Sequence, residues 1–168
     1  MRRVAIGLLA TLALGWVAIS AGLRFNGTES YPVGLYLETG KVAQKGDLVF
    51  VSLPNSPAIA MARERGYLSI AYCNVDHLLK RLAAVAGDHV TIDSSGVSVN
   101  GVLLPNSSPL PSDAGGRPLE AFLLSDYILE PGQVLIMSEY NPASFDSRYF
   151  GPIDQTAIES VVWPVLTF

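Results

Sequence analysis

The hydrophobic pattern of this 168-residue sequence divides it into two unequal parts. The run from Val4 to Gly22 contains no charged residue and directly follows Arg2 and Arg3. As a helix that rises about 1.5 Å per residue, this run would be roughly 28 Å long, close to the hydrocarbon thickness of a bilayer. It therefore predicts a transmembrane anchor. A cleavable signal sequence, cut near Ala18-Ile19-Ser20, is the alternative, although its apolar region would normally be shorter.

The anchor defines two predicted parts of the chain, with residues 1–22 as the membrane anchor and residues 23–168 as one exported domain. Because Arg2 and Arg3 precede the apolar run, the positive-inside rule places the N-terminus in the cytoplasm. The domain that follows is then expected on the periplasmic side of the inner (cytoplasmic) membrane.

Most of the exported domain consists of short apolar runs separated by turn residues, a pattern typical of strands. Asn100-Gly101 predicts a type I′ hairpin, and the Glu130-Pro131-Gly132 turn is expected to pair the strands on either side of it. The predicted strands are Asp47–Val51, His89–Asp93, Val97–Val99, Val102–Leu104, Tyr127–Leu129, Val134–Met137 and Val161–Phe168. The exported domain is therefore predicted to be mainly β.

Two segments do not fit the strand pattern. Ser56–Arg65 has a capping serine, a proline in its first turn and Gly66 after its end, and predicts a short helix. Pro105–Pro118 holds four of the 11 prolines together with Gly115-Gly116. This composition predicts an exposed loop.

The segment Asp76–Ala86 is ambiguous. It is rich in good helix formers and has Asp76 as a cap and Gly87 as a stop, so the residues alone favour a helix. As a strand, its alternation would place Leu78, Lys80, Leu82 and Ala84 on one face.

Composition excludes several classes of protein. With 49% hydrophobic and 15% charged residues, the chain is neither disordered nor a coiled coil. A net charge of −4 argues against nucleic acid as a partner, the more so because two of the 11 basic residues are Arg2 and Arg3. One cysteine allows no internal disulfide, and no Cys/His cluster has the spacing of zinc ligands. We expect no metal site and no cofactor.

Four segments of the domain, in this order, resemble the motifs of bacterial type I signal peptidases. They correspond to a nucleophile box, a first core strand, a lysine box and a final box. The segments are Thr28–Tyr36, Gly46–Phe50, Lys80–Asp88 and Ser144–Gly151. Each motif is weak alone, but four in the family's order behind an N-terminal anchor form a specific pattern.

The nucleophile box is similar to one branch of that family. One residue separates Ser30 from Pro32, as in the conjugative-transfer, TraF-type peptidases, whereas the housekeeping enzymes usually have two residues there. The chain also departs from the family in two places. Ser138-Glu139-Tyr140-Asn141 stands where Gly-Asp-Asn-Arg is usual, and Ala86 replaces a proline.

The resemblance implies a mainly β, signal-peptidase/LexA-like fold of antiparallel strands with one or two short helices, preceded by a transmembrane helix. It also implies that the lysine box is a strand, which reverses the preference of the residues alone. The implied catalytic pair is Ser30 and Lys80, at a distance of about 2.6–3.5 Å. A lysine can activate serine only if burial lowers the lysine pKa, and apolar neighbours on the Lys80 face of a strand would supply that burial.

The resemblance assigns roles to other residues as well. The Ser30 backbone N–H and the Thr28 hydroxyl are expected to bind the oxyanion. Ser144 would orient the lysine amine, and Asp146 and Arg148 would hold the final box by an ion pair. A substrate strand is expected along the Tyr31–Leu37 edge. The expected substrate-binding residues are Tyr31, Pro32, Val33 and Gly34.

The expected function is that of a membrane-anchored serine endopeptidase that processes exported precursors, with a conjugative pilin precursor as the client. Its expected partners are the membrane, the precursor and a conjugative secretion apparatus. Three alternatives remain open at this point. They are a housekeeping signal peptidase, a self-cleaving repressor-type protease and a non-catalytic anchored scaffold of a secretion apparatus.

Overall fold

A computed structural model of the chain describes residues 20–70, 73–74 and 77–168. The predicted anchor, Val4–Gly22, lies almost wholly outside these residues. Within them, no helix has the length and apolarity needed to cross a bilayer.

The described residues form mainly β structure. The strands are β1 (Leu23–Asn26), β2 (Gly34–Glu38), β3 (Leu48–Ser52), β4 (Ser69–Ile70), β5 (Cys73–Asn74), β6 (His77–Ala84), β7 (His89–Asp93), β8 (Gly96–Val99), β9 (Val102–Leu103), β10 (Leu124–Ile128), β11 (Gln133–Met137), β12 (Ile153–Asp154) and β13 (Ile158–Thr167). The helices are α1 (Pro57–Glu64), α2 (Ser147–Phe150) and a 3₁₀ turn at Gln155–Ala157. The predicted class, antiparallel β with one or two short helices, is confirmed for this part of the chain.

The strands form three antiparallel sheets. A seven-stranded sheet has the order β1-β2-β13-β3-β6-β11-β12, and a four-stranded sheet has the order β10-β7-β8-β9. The third sheet is the short β4-β5 hairpin. In the large sheet, the last long strand, β13, lies between β2 and β3, so strands from both ends of the domain are neighbours at its centre.

Local sequence signals predicted several elements correctly. At the β8–β9 turn, Asn100 and Gly101 have φ values of 52° and 78°, as a type I′ hairpin requires. Ser56 caps α1 by accepting a hydrogen bond from the Ile59 N–H at 3.2 Å, and Pro57 is the first helical residue. The predicted hairpin and the predicted helix are confirmed.

The predicted pairing of the strands around Glu130-Pro131-Gly132 is wrong. The turn itself forms, with a hydrogen bond from the Gln133 N–H to the Glu130 carbonyl at 2.9 Å. However, β10 pairs with β7, whereas β11 pairs with β6 and β12. The two strands separate because the backbone of Leu129 is hydrogen-bonded to the backbone of Gly87 and Asp88. These hydrogen bonds hold Leu129 between the two larger sheets.

The ambiguous segment Asp76–Ala86 contains a strand, β6, rather than a helix. Leu78 and Leu82 pack into one hydrophobic cluster, while Leu79 packs into another. Because both faces of β6 are buried, packing in the sheet outweighs the helix propensity of its residues.

The predicted loop Pro105–Pro118 contains no strand, but it is not wholly exposed. Ser107 is buried, and its hydroxyl accepts a hydrogen bond from the Val97 N–H at 2.9 Å. The Leu110 N–H donates to the Tyr149 hydroxyl at 3.0 Å, which fixes the loop to α2. The loop therefore forms a wall beside the final sequence motif.

The expectation that Tyr31–Leu37 offers a free edge to a substrate is wrong for Gly34–Leu37, the part that lies in β2. β2 is paired with β1 on one side and with β13 on the other. Gly34, expected to admit a substrate strand, instead admits β13, because a Cβ on Gly34 would lie 2.1 Å from the Leu166 carbonyl oxygen. The Val33 carbonyl accepts a hydrogen bond from the Phe168 N–H at 2.9 Å. The polar backbone groups here are thus used within the domain.

This close approach predicts that Gly34→Ala destabilises the protein more than Gly40→Ala. Both glycines have positive φ values, 155° and 62°, so both alanine variants pay for an unfavourable backbone conformation. A Cβ on Gly40 meets nothing within 4 Å. We expect Gly34→Ala to lower the free energy of unfolding in urea by about 1–3 kcal/mol more than the Gly40→Ala control, because β13 must move. Equal losses would show that the β2–β13 contact does not limit stability.

Candidate active site

Three side chains from distant parts of the sequence meet at one buried point. Ser30 lies between β1 and β2, Lys80 on β6, and Ser144 between β11 and α2. The Lys80 Nζ is 2.6 Å from the Ser30 Oγ and 2.6 Å from the Ser144 Oγ. The two serine oxygens are 3.2 Å apart. The Ser30–Lys80 distance lies inside the range expected for proton transfer.

The position of Lys80 in the sheet explains its burial. Lys80 is opposite Val49 in the pairing of β6 with β3, and its side chain is fully buried. The residues two positions away on either side, Leu78 and Leu82, are also buried. The amine therefore lies among apolar side chains, and the two serine hydroxyls are its hydrogen-bond partners.

Burial lowers the pKa of the Lys80 amine from its ordinary value of 10.5 to about 8. The main cause is desolvation, which penalises the charged form. The Asp146 carboxylate acts in the opposite direction, and Arg148 acts with desolvation. A pKa of 8 leaves roughly a tenth of the amine neutral at pH 7, whereas the ordinary value would leave less than about one part in a thousand. A neutral amine can accept a proton from the serine hydroxyl.

Asp146 and Arg148 form a fully buried, two-pronged ion pair. The Arg148 Nε donates to Asp146 Oδ1 at 2.8 Å, and Nη2 donates to Oδ2 at 3.0 Å. The Arg148 guanidinium also donates to the carbonyls of Asn106, Pro142 and Ser138. The pair therefore ties the final motif to the neighbouring loop, and neither side chain hydrogen-bonds the Ser30 hydroxyl.

The turn that carries Ser30 is organised by Asn26, a buried residue that sequence reasoning missed. The Asn26 Nδ2 donates to the carbonyls of Thr28, Tyr31 and Pro32 at 3.0–3.2 Å. In the sequence, Asn26 is only the first residue of a polar linker, Asn26–Ser30. The triplet Asn26-Gly27-Thr28 also matches a glycosylation acceptor by chance. Its role depends on the fold of the turn around it, which no local pattern indicates.

Thr28 lies two residues before Ser30 in the same turn, and its hydroxyl already donates a hydrogen bond. Because the Asn26 amide nitrogen donates to carbonyls, its Oδ1 is an acceptor, and it takes the Thr28 hydroxyl hydrogen at 2.8 Å. The Thr28 hydroxyl can therefore donate to an oxyanion only if its hydrogen bond to Asn26 breaks. The Ser30 backbone N–H is the other expected donor.

Of the residues expected to bind substrate after Ser30, Tyr31 packs inward and Pro32 is engaged through its carbonyl. The Tyr31 ring is buried with Phe50 and Leu79 and stacks on Tyr140, with ring centroids 6.1 Å apart. The Pro32 carbonyl accepts hydrogen bonds from Asn26 and from the Tyr36 hydroxyl, the latter at 2.7 Å. These contacts support the turn that carries Ser30.

The two histidines lie elsewhere. The Nδ1 atom of His77 is 2.8 Å from Glu159, and that of His89 is 2.8 Å from Asp126, both on the surface. Lys80 is therefore the basic side chain within hydrogen-bond distance of the Ser30 hydroxyl.

A cavity of about 490 Å³ opens beside Ser30 and Ser144. Its wall is partly polar and partly apolar, and it includes five large aromatic or aliphatic side chains. They are Tyr67, Leu110, Leu119, Phe145 and Tyr149. The loop Pro105–Pro118 and α2 thus border a space of mixed polarity next to the serine hydroxyls.

Comparison with solved structures finds a signal peptidase I from Enterococcus faecalis. The match covers 72% of this chain and 97% of that chain, with 21% sequence identity and a TM-score of 0.40.

Comparison with protein families and characterised sequences gives closer matches. The family described as "Signal peptidase, peptidase S26" matches residues 4–165. A "Plasmid transfer protein TraF" from Escherichia coli is 42% identical over 167 residues, which are 98% of this chain and 94% of that protein. A "Probable conjugal transfer protein TraF" from Sinorhizobium fredii is 36% identical over 172 residues, which are 100% of this chain and 86% of that protein. Because these matches span nearly the whole sequence, the chain belongs to the signal peptidase family, peptidase S26.

Proposed function

We propose that this protein is a membrane-anchored serine endopeptidase that cuts exported precursors by means of a Ser30–Lys80 dyad. The observation that carries the proposal is the fully buried Lys80 amine at 2.6 Å from the Ser30 hydroxyl. Membership of a peptidase family supports the same reaction class.

In the proposed reaction, Ser30 Oγ attacks the carbonyl carbon of the scissile peptide bond while Lys80 Nζ takes the hydroxyl proton. Collapse of the tetrahedral intermediate breaks the C–N bond, and Lys80 gives the proton to the leaving amine. Water then attacks the acyl-enzyme and loses a proton to Lys80. Collapse of the second tetrahedral intermediate breaks the C–O bond to Ser30, Lys80 returns the proton to Ser30 Oγ, and the acid product leaves. The lysine ends each cycle neutral.

The remaining site residues support this sequence of steps. The Ser30 N–H would stabilise the oxyanion, with Thr28 as a second donor after its hydrogen bond to Asn26 is exchanged. Ser144 contacts both reacting side chains and would keep the amine directed at the nucleophile. Asp146 and Arg148 would act by holding the final motif in place.

The substrate needs a backbone partner other than β2, and β6 offers one. Within the described residues, β6 pairs with β11 only from Arg81 onward, so Leu78–Lys80 have a partner strand, β3, on one side alone. An extended precursor could add to this free side by β-augmentation. The leaving part of the substrate must approach the Lys80 amine, so we place it toward the cavity beside Ser144.

The names of the relatives bear on the client. Several similar proteins are called plasmid or conjugal transfer proteins. We therefore propose an exported precursor of a conjugative secretion apparatus, in particular a pilin precursor, as the substrate.

An apolar face of the large sheet supports a location at the membrane surface. Phe25, Leu37, Trp163 and Leu166 are all exposed. The register pairs Leu37 with Trp163 and places Phe25 and Leu166 opposite Leu35, so all four lie on one face. This face begins at β1, directly after the proposed anchor, and would rest on the outer surface of the inner membrane.

The proposed chemistry predicts that Ser30→Ala lowers the rate of precursor cleavage by about a thousandfold or more, because the variant lacks the hydroxyl that would form the acyl-enzyme. The measurement is the mass of the products when the full-length protein is incubated with a pilin precursor. Ser95→Ala, at an exposed turn, is the control and should cleave normally. Cleavage by Ser30→Ala at the wild-type rate would refute the dyad. If the protein cleaved a generic secretory precursor but not the pilin precursor, the pilin assignment would be refuted.

The lowered pKa predicts the pH dependence of the activity. Because only the neutral amine accepts the serine proton, kcat/KM should rise about tenfold per pH unit below pH 8 and level off above it. The measurement is kcat/KM between pH 6 and pH 10 on a peptide substrate without titratable groups. A kcat/KM that still rises about tenfold per pH unit up to pH 10, or a profile flat across this range, would contradict a dehydrated lysine base.

The proposed membrane contact predicts that the Trp163 side chain reaches the lipid. In a full-length Trp16→Phe variant reconstituted in vesicles, Trp163 is the single tryptophan, and its fluorescence should be quenched by lipids brominated near the headgroup. The control carries Val102→Trp with both native tryptophans replaced by Phe, because Val102 lies on the four-stranded sheet. Equal quenching at the two positions would contradict the proposed orientation.

A further inference from the structure

The segment that departs from the family motif, Ser138–Asn141, contacts the backbone of the nucleophile turn. Ser138 replaces the usual glycine and is fully buried. Its hydroxyl donates to the Ser30 carbonyl at 2.5 Å and accepts from the Asn141 N–H at 3.2 Å. Both contacts together fix the direction of this hydroxyl.

Asn141, which replaces the usual arginine, holds the preceding carbonyl. Its Nδ2 donates to the Glu29 carbonyl at 3.1 Å, while its Oδ1 accepts from the Ala143 N–H at 2.8 Å. The second contact fixes which end of the amide faces Glu29. Two consecutive carbonyls, those of Glu29 and Ser30, are therefore each held by a side chain of one turn.

These contacts determine where the Ser30 N–H points. The Glu29 carbonyl and the Ser30 N–H belong to the same planar, trans peptide group, so they point in opposite directions. A donor that holds the Glu29 carbonyl on one side therefore aims the Ser30 N–H to the other side. Ser138 fixes the next peptide group in the same way, so the backbone is held on both sides of the Ser30 Cα.

The turn that supplies both side chains is itself anchored by the buried ion pair. The Ser138 N–H donates to Asp146 Oδ2 at 2.9 Å, and its carbonyl accepts from Arg148 Nη2 at 3.0 Å. The Pro142 carbonyl accepts from Arg148 Nη1 at 2.9 Å. A continuous set of hydrogen bonds thus joins the ion pair to the two peptide groups that flank the nucleophile.

We propose that Ser138 and Asn141 are positioning residues that orient the Ser30 N–H as the oxyanion donor, with the Asp146–Arg148 pair as their support. The inference rests on the proposed peptidase function. It gives the segment Ser138–Asn141 a role in stabilising the transition state. It also explains how the Asp146–Arg148 pair acts on Ser30, through the hydrogen bonds of that segment.

The test compares full-length Ser138→Ala and Asn141→Ala with Ser107→Ala as the matched control. Ser107 is also a buried serine with backbone hydrogen bonds, but its partners are Val97 and Leu104, away from the Ser30 turn. Asn141 is only half-buried, so its alanine variant should fold even if Ser138→Ala does not; circular dichroism of each variant checks this.

The readouts are kcat and KM on a fluorogenic peptide whose acyl half ends in alanine, and inhibition by the matching peptide aldehyde, which forms a tetrahedral adduct. For each positioning variant we expect kcat to fall about tenfold and aldehyde affinity to fall in parallel, while KM and the pH midpoint stay unchanged. Ser107→Ala should leave all four values near those of the wild type.

Two results would overturn the inference. One is a loss of kcat in the positioning variants no larger than in Ser107→Ala, and the other is a loss of activity with unchanged aldehyde affinity. The failure of the proposed function looks different, because the wild-type protein would then cleave no peptide, or Ser30→Ala would cleave it equally well. That outcome would overturn the positioning proposal as well.

Discussion

The structure depends on keeping one amine away from water. Lys80 lies on β6, an interior strand of the seven-stranded sheet, and is fully buried and opposite Val49. Lowering a lysine pKa from 10.5 to about 8 disfavours the folded state on the order of 3 kcal/mol at neutral pH, because the amine is still mostly charged there. The surrounding apolar clusters must offset this cost. A sheet buried on both faces provides such an environment, whereas a helix on the surface would leave the amine in water.

The nucleophile is held in a different way. Ser30 lies in an irregular turn, so its position cannot come from a strand ladder. It comes from side chains that hydrogen-bond the turn: Asn26, which is local in sequence, on one side, and Ser138 with Asn141, which are distant in sequence, on the other. The buried Asp146–Arg148 pair stabilises the second group through its bonds to the backbone of Ser138. The site therefore combines a proposed base that is dehydrated by burial with a proposed nucleophile that is placed by hydrogen bonds.

Sequence patterns predicted the elements that local chemistry determines, such as the Asn100-Gly101 hairpin and the capped helix α1. They left β6 ambiguous, because its residues favour a helix while both of its faces are buried in the fold. The sequence patterns predicted the wrong partner strand for β10 and an unpaired edge on β2. Both errors arise because the actual partners, β7 and β13, are distant in sequence. The order of the motifs indicated that Ser30, Lys80 and Ser144 would meet. No sequence pattern indicated the structural roles of Asn26 and Ser138.

The central claim is that the Lys80 amine is neutral in a substantial fraction of molecules near physiological pH. The most direct measurement is an NMR titration of the full-length protein labelled with ¹⁵N and ¹³C at lysine, with the Lys80 signal assigned from its loss in Lys80→Met. The account predicts a midpoint of about 8 for this signal. A midpoint near 10.5 would show that the amine is hydrated and charged, and would contradict the proposed role of Lys80 as the base.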